Sequence, residues 1–247
     1  MIRIRGLRKV FPPDKLALDG VDLDVAPGEF VMVIGQSGAG KTTLLRCLNR
    51  LVEPTAGEVL LNGSRVTGAS PESLRFVRRQ IGVIFQQFNL VRRVSVLANV
   101  LAGRLGHVPG FPSLFGRFPR KDCELALACL QLVGLEDFAS RRADTLSGGE
   151  QQRVAIARAL AQEPKVILAD EPTASLDPKL TESIMGILQR INVERRLTLV
   201  VSQHMLETAL TYGTRIVALR QGRVVFDGPP DAISPKTVED IYEGGVR

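Results

Sequence analysis

The chain has 247 residues, 45% of them hydrophobic and 23% charged, which is typical of a globular protein with a full core. No apolar run approaches the ~18 residues of a membrane span, and no signal-peptide core follows the basic N-terminus. We therefore expect the protein to stay on the side of the membrane where it is made. Three scattered cysteines without C-x-x-C spacing, Cys47, Cys123 and Cys129, indicate core thiols in a reducing compartment rather than a disulfide or a zinc site.

The net charge of +6 is concentrated between positions 72 and 142, where eleven Lys and Arg residues outnumber five Asp and Glu residues. A nucleic-acid surface usually adds stacking aromatics or a recognisable module. The chain has no Trp, and the Phe residues of this stretch lie among prolines and glycines, so we expect no nucleic-acid partner. The basic stretch is either a solvated face or a surface near anionic lipid or a membrane partner.

The N-terminal part of the chain is predicted to form strands. Residues 2–4 and 21–25 alternate apolar with polar side chains, as half-buried strands do, and a proline-containing turn lies between them. Residues 58–61 lead into an Asn-Gly pair, which is a strong hairpin signal. The apolar run at 81–85 predicts a short buried strand that ends at Gln86.

A glycine-rich loop follows an apolar run at 30–34 and precedes an amphipathic segment. Its residues are Gly35, Gln36, Ser37, Gly38, Ala39, Gly40, Lys41, Thr42 and Thr43. In this strand–loop–helix context, G-x-x-x-x-G-K-[ST] predicts a phosphate-binding loop. The glycines let backbone N–H groups point inward, and the start of the helix offers its positive dipole end to the same anion. Lys41 adds a cation for the β- and γ-phosphates, and the Thr42 hydroxyl suits Mg²⁺.

The sequence between positions 89 and 162 has no convincing strand and is interpreted as an inserted helical lobe. It contains a loop rich in Gly, Pro and Phe at 103–119, and a helix at 122–133 stopped by Gly134. The run 146–150, Leu-Ser-Gly-Gly-Glu, is a second glycine-rich anion-binding candidate, and it leads into another helix that runs to about position 161.

Alternation of strands and helices returns after the lobe. The apolar strand at 166–170 ends in two carboxylates, Asp170 and Glu171, suited to holding Mg²⁺ and to activating a water molecule beside a phosphate loop. A helical stripe at 178–193 is interpreted as core packing. The buried strand at 199–202 ends beside His204, which taken alone is more simply a satisfied surface histidine. A short helix up to position 213, a hairpin at 216–226 and a short helix from position 229 complete the chain.

Taken together, these motifs resemble the ATPase subunit of ABC transporters over nearly the whole chain. Residues 35–42 match the first nucleotide motif, 146–150 the signature motif and 166–170 the second nucleotide motif. Three further matches are Gln86 at the Q-loop glutamine, the run 175–177 at the D-loop and His204 at the switch histidine. Phe11 stands where an aromatic residue usually stacks on adenine. Glu150 departs from the commonest signature, which has glutamine there; glutamate also occurs in working relatives.

The resemblance implies an α/β fold: a P-loop NTPase (RecA-like) core with an N-terminal antiparallel β-subdomain and an inserted α-helical subdomain. The whole chain, 1–247, would be one ABC ATPase domain, with residues 1–88 and 163–247 forming the core and residues 89–162 the helical subdomain. It also implies a homodimer that sandwiches two ATP molecules, each between the phosphate loop of one copy and the signature motif of the other.

The resemblance also implies roles for particular residues. The catalytic set is Glu171, which polarises the water, with His204 and Gln86, which sense and position the γ-phosphate. The Mg²⁺ ligands are Thr42, Gln86 and Asp170. ATP is bound by Phe11, by the nine loop residues from Gly35 to Thr43, and by Ser147, Gly148, Gly149, Glu150 and Asp177.

Within the family, the chain most resembles phosphonate-import ATPases, on the runs at 99–106, 113–119, 167–178 and 226–229. This implies an ATPase at the cytoplasmic face of the inner membrane that drives permease subunits, with an extracytoplasmic phosphonate-binding protein reached through the permease. One alternative is the ATPase of a lipoprotein-release or macrolide-export system, against which the insertion at 103–119 counts. Others are a non-transport ABC ATPase of cell division or DNA repair and a stand-alone phosphate-loop kinase.

Overall fold

The structure is a computed structural model that describes residues 2–108, 116–174 and 176–242. The alternating and apolar runs of the sequence form ten described strands: β1 Ile2–Phe11, β2 Lys15–Val25, β3 Phe30–Ile34, β4 Ala56–Leu61, β5 Ser64–Arg65, β6 Ile81–Ile84, β7 Val166–Asp170, β8 Thr198–Ser202, β9 Arg215–Arg220 and β10 Arg223–Gly228. The described α-helices are α1 Lys41–Leu48, α2 Pro71–Arg79, α3 Val96–Leu101, α4 Arg120–Leu132, α5 Gly148–Ala161, α6 Pro178–Arg195, α7 Leu206–Tyr212 and α8 Pro235–Tyr242. None of these helices is long and apolar enough to cross a bilayer.

The strands form two sheets, and the predicted α/β fold is confirmed. One sheet is antiparallel, in the order β2-β1-β4-β5, and the other has the order β10-β9-β3-β8-β7-β6. Strands β6, β7, β8, β3 and β9 run parallel to one another, and β10 pairs antiparallel with β9 at the edge of the sheet. Every residue of β3, β7 and β8 is buried, which explains why these strands have central apolar runs rather than an alternating pattern.

Several predicted element bounds need correction. β1 and β2 are ten and eleven residues long, because register shifts let them continue past the short alternating runs. The predicted loop at 103–119 begins as a 3₁₀ turn, Ala102–Gly106, and its residues 109–115 lie outside the described part of the chain. The sequence interpretation missed α2 and α3, although Ser70 with Pro71 and Ser95 are recognisable helix starts.

The helices α3, α4 and α5 lie between β6 and β7 in the chain and pack on one another. Their buried side chains share one hydrophobic cluster with β3 and β7, including Val100, Leu130 and Ile156. The division into a core of 1–88 and 163–247 and a helical subdomain of 89–162 stays a prediction. Cys47 and Cys129 are buried free thiols, and burial raises the pKa of each to about 11.

A buried arginine joins three segments of this helical region. Arg104 is 6% exposed; its Nε donates to Asp122 at 2.8 Å, and its Nη1 donates to the Ala161 carbonyl at 2.9 Å and to Glu163 at 2.7 Å. The carboxylate of Asp122 is 1% exposed, and its Oδ2 atom has no hydrogen-bond partner among the described residues. Arg104 therefore supplies the charge that this buried carboxylate needs.

We expect Arg104→Ala to lower the free energy of unfolding by about 3–5 kcal/mol, because it leaves the Asp122 carboxylate buried without a partner. Urea denaturation of the full chain measures this change. Arg120→Ala is the matched control, since its ion pair with Glu124 is exposed and such pairs contribute ~0.5 kcal/mol or less. Equal stability losses in the two variants would contradict the prediction.

Candidate functional site

The glycine-rich loop lies at the carboxyl end of β3, and α1 begins at Lys41. Gly35 has φ 144° and Gly40 has φ 108°, both in the left-handed region that favours glycine. A Cβ atom at Gly35 would stand 2.2 Å from the Leu219 carbonyl oxygen, and one at Gly40 would stand 2.5 Å from that of Ala17. Both positions therefore require glycine because the neighbouring backbone approaches so closely.

Lys41 is 4% exposed, and its ammonium group lies among groups of the loop and of two other strand ends. It donates to the carbonyl oxygens of Gly35 at 2.9 Å and Gln36 at 3.2 Å. It also lies 3.7 Å from Glu171 Oε1 and 3.4 Å from His204 Nδ1. Burial lowers the pKa of Lys41, and the negative charge of Glu171 opposes that shift. The group is a buried cation that several partners hold in place.

Asp170 at the end of β7 accepts two hydrogen bonds on Oδ1, from the Thr42 hydroxyl at 2.8 Å and the Ser202 hydroxyl at 3.0 Å. Ser202 ends β8, directly opposite Asp170 in the parallel register, and its hydroxyl also accepts from the Glu171 backbone N–H at 2.9 Å. The sequence interpretation missed Ser202. The signal that could have found it is a hydroxyl residue closing an otherwise apolar buried strand.

Glu171 and His204 contact each other in the cleft, with 2.6 Å between His204 Nε2 and Glu171 Oε1. The tautomer protonated at Nε2 satisfies both ring contacts, because Nε2–H donates to Glu171 and Nδ1 accepts from Lys41. Glu171 has φ 48°, a backbone conformation that costs a non-glycine residue about 1 kcal/mol or more and that clusters at functional sites.

Lys41, Thr42, Glu171 and His204 line a cleft of about 460 Å³ at the carboxyl edge of the parallel sheet, whereas Asp170 is outside the described lining and reaches it through its hydrogen bond with Thr42. The cleft lining includes ten predicted site residues: Phe11, Ser37, Gly38, Gly40, Lys41, Thr42, Thr43, Gln86, Glu171 and His204. The lining also includes Lys15 and Ala17 of β2, which the sequence interpretation missed because only the pairing of β2 with β1 brings them there. The Lys9 ammonium group lies 4.8 Å from the centre of the Phe11 ring, on which it forms a cation–π contact.

The remaining predicted residues of the loop face elsewhere. Ala39 is buried, and its carbonyl oxygen accepts from the Gly222 N–H at 3.0 Å. The Gln36 side chain donates to the Tyr242 carbonyl oxygen rather than lining the cleft. In this structure, these contacts join the loop to other segments of the chain, and the role of Gln36 and Ala39 in nucleotide binding stays a prediction.

The donor set at the floor of the cleft fits Mg²⁺. Mg²⁺ prefers hard oxygen ligands and is usually held by one or two carboxylates together with phosphate oxygens and water. Thr42 and Asp170 bring a hydroxyl and a carboxylate to within 2.8 Å of each other, and the amide side chain of Gln86 lines the cleft together with Thr42. When bound, the ion would neutralise phosphate charge.

The signature residues lie away from this cleft. Ser147 caps α5, and Glu150 accepts from the Ser147 N–H and hydroxyl at 2.7 Å each, which completes a capping box. These hydrogen bonds lower the pKa of Glu150. A Cβ atom on Gly149 would meet Leu180 at 2.9 Å, whereas one on Gly148 would meet nothing closer than 3.7 Å. Among the described residues that line the cleft, none comes from 147–150.

Asp177 begins α6, where its side chain accepts from the Leu180 N–H at 3.0 Å. In this structure, Asp177 is therefore a helix cap outside the described cleft lining. Ser175, the first residue of the predicted D-loop, lies outside the described residues.

Comparison with known proteins gives consistent matches. The model of the family described as "ABC transporter" matches residues 18–174. The phosphonates import ATP-binding protein PhnC of Shouchella clausii (strain KSM-K16) is 51% identical over 98% of this chain and 91% of its own length. A protein of the same description from Staphylococcus haemolyticus (strain JCSC1435) is 47% identical over 98% of this chain and 94% of its own length.

Solved structures agree with these matches. The ATP-binding cassette MJ0796, in a dimeric post-hydrolysis state bound to ADP and Pi, superposes with a TM-score of 0.83 at 37% identity, covering 94% of this chain and 100% of its own. The cassette MJ1267 in its ADP conformation gives a TM-score of 0.84 at 28% identity, covering 97% of each chain. With its cleft, its fold and these matches, the chain belongs to the ABC transporter family, as an ATP-hydrolysing ATP-binding domain.

Proposed function

We propose that this chain is the ATP-hydrolysing subunit of an ABC importer for phosphonates. The observation that carries the cargo class is the identity of about half of all residues, over nearly the full length, to proteins described as phosphonates import ATP-binding proteins. The cleft carries the hydrolytic part of the proposal, because a buried lysine, a hydroxyl–carboxylate pair and a carboxylate–histidine pair converge there.

In the proposed reaction, Phe11 stacks on the adenine, and Lys41 with the loop N–H groups binds the β- and γ-phosphates. Glu171 accepts a proton from the attacking water, which is the role of a general base. His204 orients Glu171 and contacts the γ-phosphate, and Gln86 positions the water. Thr42, Gln86 and Asp170 would hold Mg²⁺ together with phosphate oxygens and water. The 2.6 Å contact between His204 and Glu171 supports this assignment.

A second copy of the chain is proposed to complete each ATP site. Ser147, Gly148, Gly149 and Glu150 begin a fourteen-residue helix, whose N-terminus favours an anion, yet they do not line their own chain's cleft. The signature residues of one copy would therefore face the phosphates held by the other. The Ser147 hydroxyl contacts Glu150 in this structure and would turn to the phosphate on closure.

Permease subunits are proposed to dock on a second cleft of about 390 Å³, between α2, β6 and the helical region. Its lining includes Leu51, which is 53% exposed, and Phe85, which lies beside Gln86. Arg158 of α5 lines the same cleft and donates to the carbonyl oxygens of Phe88 at 2.8 Å and Asn89 at 2.6 Å. These hydrogen bonds connect α5, which begins at the signature motif, to the segment that follows Gln86.

This docking would place the chain at the cytoplasmic face of the inner membrane, with the phosphonate-binding protein reached only through the permease. The basic stretch at 72–142 is proposed to face the permease and the membrane. This prediction needs one correction. Arg104 is one of the eleven basic residues of the stretch, but it is buried and pairs with Asp122 instead of lying on the surface. Arg75, Arg79, Arg92 and Arg93 are exposed.

Growth on a phosphonate as sole phosphorus source tests the cargo class. A strain that lacks both this chain and any second phosphonate importer should fail to grow. The wild-type chain should restore growth, and the Glu171→Gln variant should not. Growth of both strains on inorganic phosphate is the control. Normal growth of the strain without the chain would contradict phosphonates as the cargo. Co-purification of the chain with the permease of a lipoprotein-release or macrolide-export system, or with a cell-division protein, would favour the alternative functions.

A further inference from the structure

The C-terminal helix α8 is anchored against the parallel sheet next to the ATP cleft. Ile241 in its last turn is 1% exposed and belongs to the main hydrophobic cluster. Arg220 at the end of β9 donates from Nη1 to the Asp240 carbonyl oxygen at 2.6 Å. These two contacts fix the position of the next residue, Tyr242, on which the helix ends.

Tyr242 contacts two loops of the cleft at once. Its carbonyl oxygen accepts from the side-chain amide of Gln36 in the phosphate loop. Its hydroxyl donates to the carbonyl oxygen of His204 at 3.3 Å. The backbone N–H of His204 donates at 2.9 Å to the side chain of Gln203, which is 3% exposed. The main chain of His204 is therefore held from both sides, by Gln203 at its N–H and by Tyr242 at its carbonyl.

We propose that Tyr242 is a positioning residue for ATP hydrolysis. Through its hydroxyl and its carbonyl, it fixes the position of the His204 segment relative to the phosphate loop. The proposal rests on the proposed role of His204 in hydrolysis. Tyr242 does not line the cleft and would act only through His204 and Gln36.

The geometry of the histidine explains why its backbone matters. The His204 side chain is 42% exposed, so packing alone constrains it weakly, and its ring must still place Nε2 2.6 Å from Glu171. Hydrogen bonds weaken steeply as distance and angle depart from their optimum. Burial raises the pKa of Tyr242, so its hydroxyl keeps its proton near neutral pH and remains a donor.

The test is Tyr242→Phe, which removes only the hydroxyl. We expect kcat for ATP hydrolysis by the full-length chain, alone and in its assembled transporter, to fall about fivefold, the effect of losing one hydrogen bond. The KM for ATP should stay within about twofold, because the lost contact acts on the hydrolytic step. Tyr212→Phe is the matched control: it removes the hydroxyl of the chain's other tyrosine, which contacts the Glu182 carbonyl at 3.5 Å, and should leave kcat unchanged.

A double-mutant cycle with His204→Ala separates positioning from a general structural effect. If Tyr242 acts through His204, Tyr242→Phe should slow single-turnover hydrolysis in the wild type but not further in His204→Ala. An equal loss in both backgrounds, or a raised KM together with a lower melting temperature, would overturn the positioning role. Unchanged kcat in Tyr242→Phe, when His204→Ala is impaired, would overturn this inference alone. Normal hydrolysis by His204→Ala would overturn the proposed role of His204 itself.

Discussion

Glu171→Gln should keep ATP binding but slow hydrolysis by ~10²–10⁴-fold, the usual contribution of a general base. The change keeps the size of the side chain and removes its capacity to take a proton from water. Glu171 is 9% exposed, lies at the end of β7 beside the Asp170–Thr42 pair, and contacts both Lys41 and His204. A copy that binds ATP without hydrolysing it should also accumulate as a closed dimer.

Three measurements on one preparation check this prediction: steady-state phosphate release, equilibrium nucleotide binding and size-exclusion chromatography with ATP and Mg²⁺. Glu194→Gln, at an exposed position of α6, is the control for loss of a carboxylate and should behave like the wild type. Normal turnover in Glu171→Gln would show that another group is the base.

Lys41→Ala should weaken ATP binding by about 10–100-fold, the loss expected from removing a charged hydrogen-bond donor. Lys41 is the buried cation of the cleft, and its ammonium group lies within 3.7 Å of four groups that surround the predicted phosphate position. The methylene stem contributes little to recognition of a phosphate, so most of the loss should come from the charge.

Equilibrium binding of ATP and of ADP measures the effect of Lys41→Ala. The loss should be larger for ATP, because the γ-phosphate adds charge at the position that Lys41 reaches. The control is Lys165→Ala, which removes an exposed lysine just before β7 and keeps the net charge of the two variants equal. Unchanged affinity in Lys41→Ala would contradict the assignment of residues 35–42 as a phosphate loop.

The features that could be predicted from the sequence are those that depend on residues close together in the chain. The tight path of the glycine-rich loop could be predicted, because the backbone requires Gly35 and Gly40 at a fixed spacing from Lys41. The buried strands β3, β7 and β8 could be predicted because a strand covered on both faces is apolar along most of its length. The capping box of Ser147 and Glu150 was equally local, and the S-x-x-E pattern would have predicted it.

What the sequence interpretation missed depends on contacts between distant positions. Ser202 joins the site only because β8 pairs with β7 in the register that sets it opposite Asp170, across 32 positions of sequence. Arg104 was taken as a surface charge because its partner Asp122 lies eighteen positions away. Tyr242 meets Gln36 across 206 positions, and nothing near either residue indicates that contact.

The hydrogen bonds from Arg158 to the carbonyl oxygens of Phe88 and Asn89 connect the C-terminal part of α5 to the segment that follows Gln86. Arg158 lies eleven positions after Ser147, a distance of about 16 Å along a helix that rises 1.5 Å per residue. If the helix rotated as a rigid body about its Arg158 end, Ser147 would therefore move farther than Arg158. Phe88 follows Gln86 by two residues. A rigid α5 would therefore link a movement near the γ-phosphate bound by one copy to the signature residues that face the other copy.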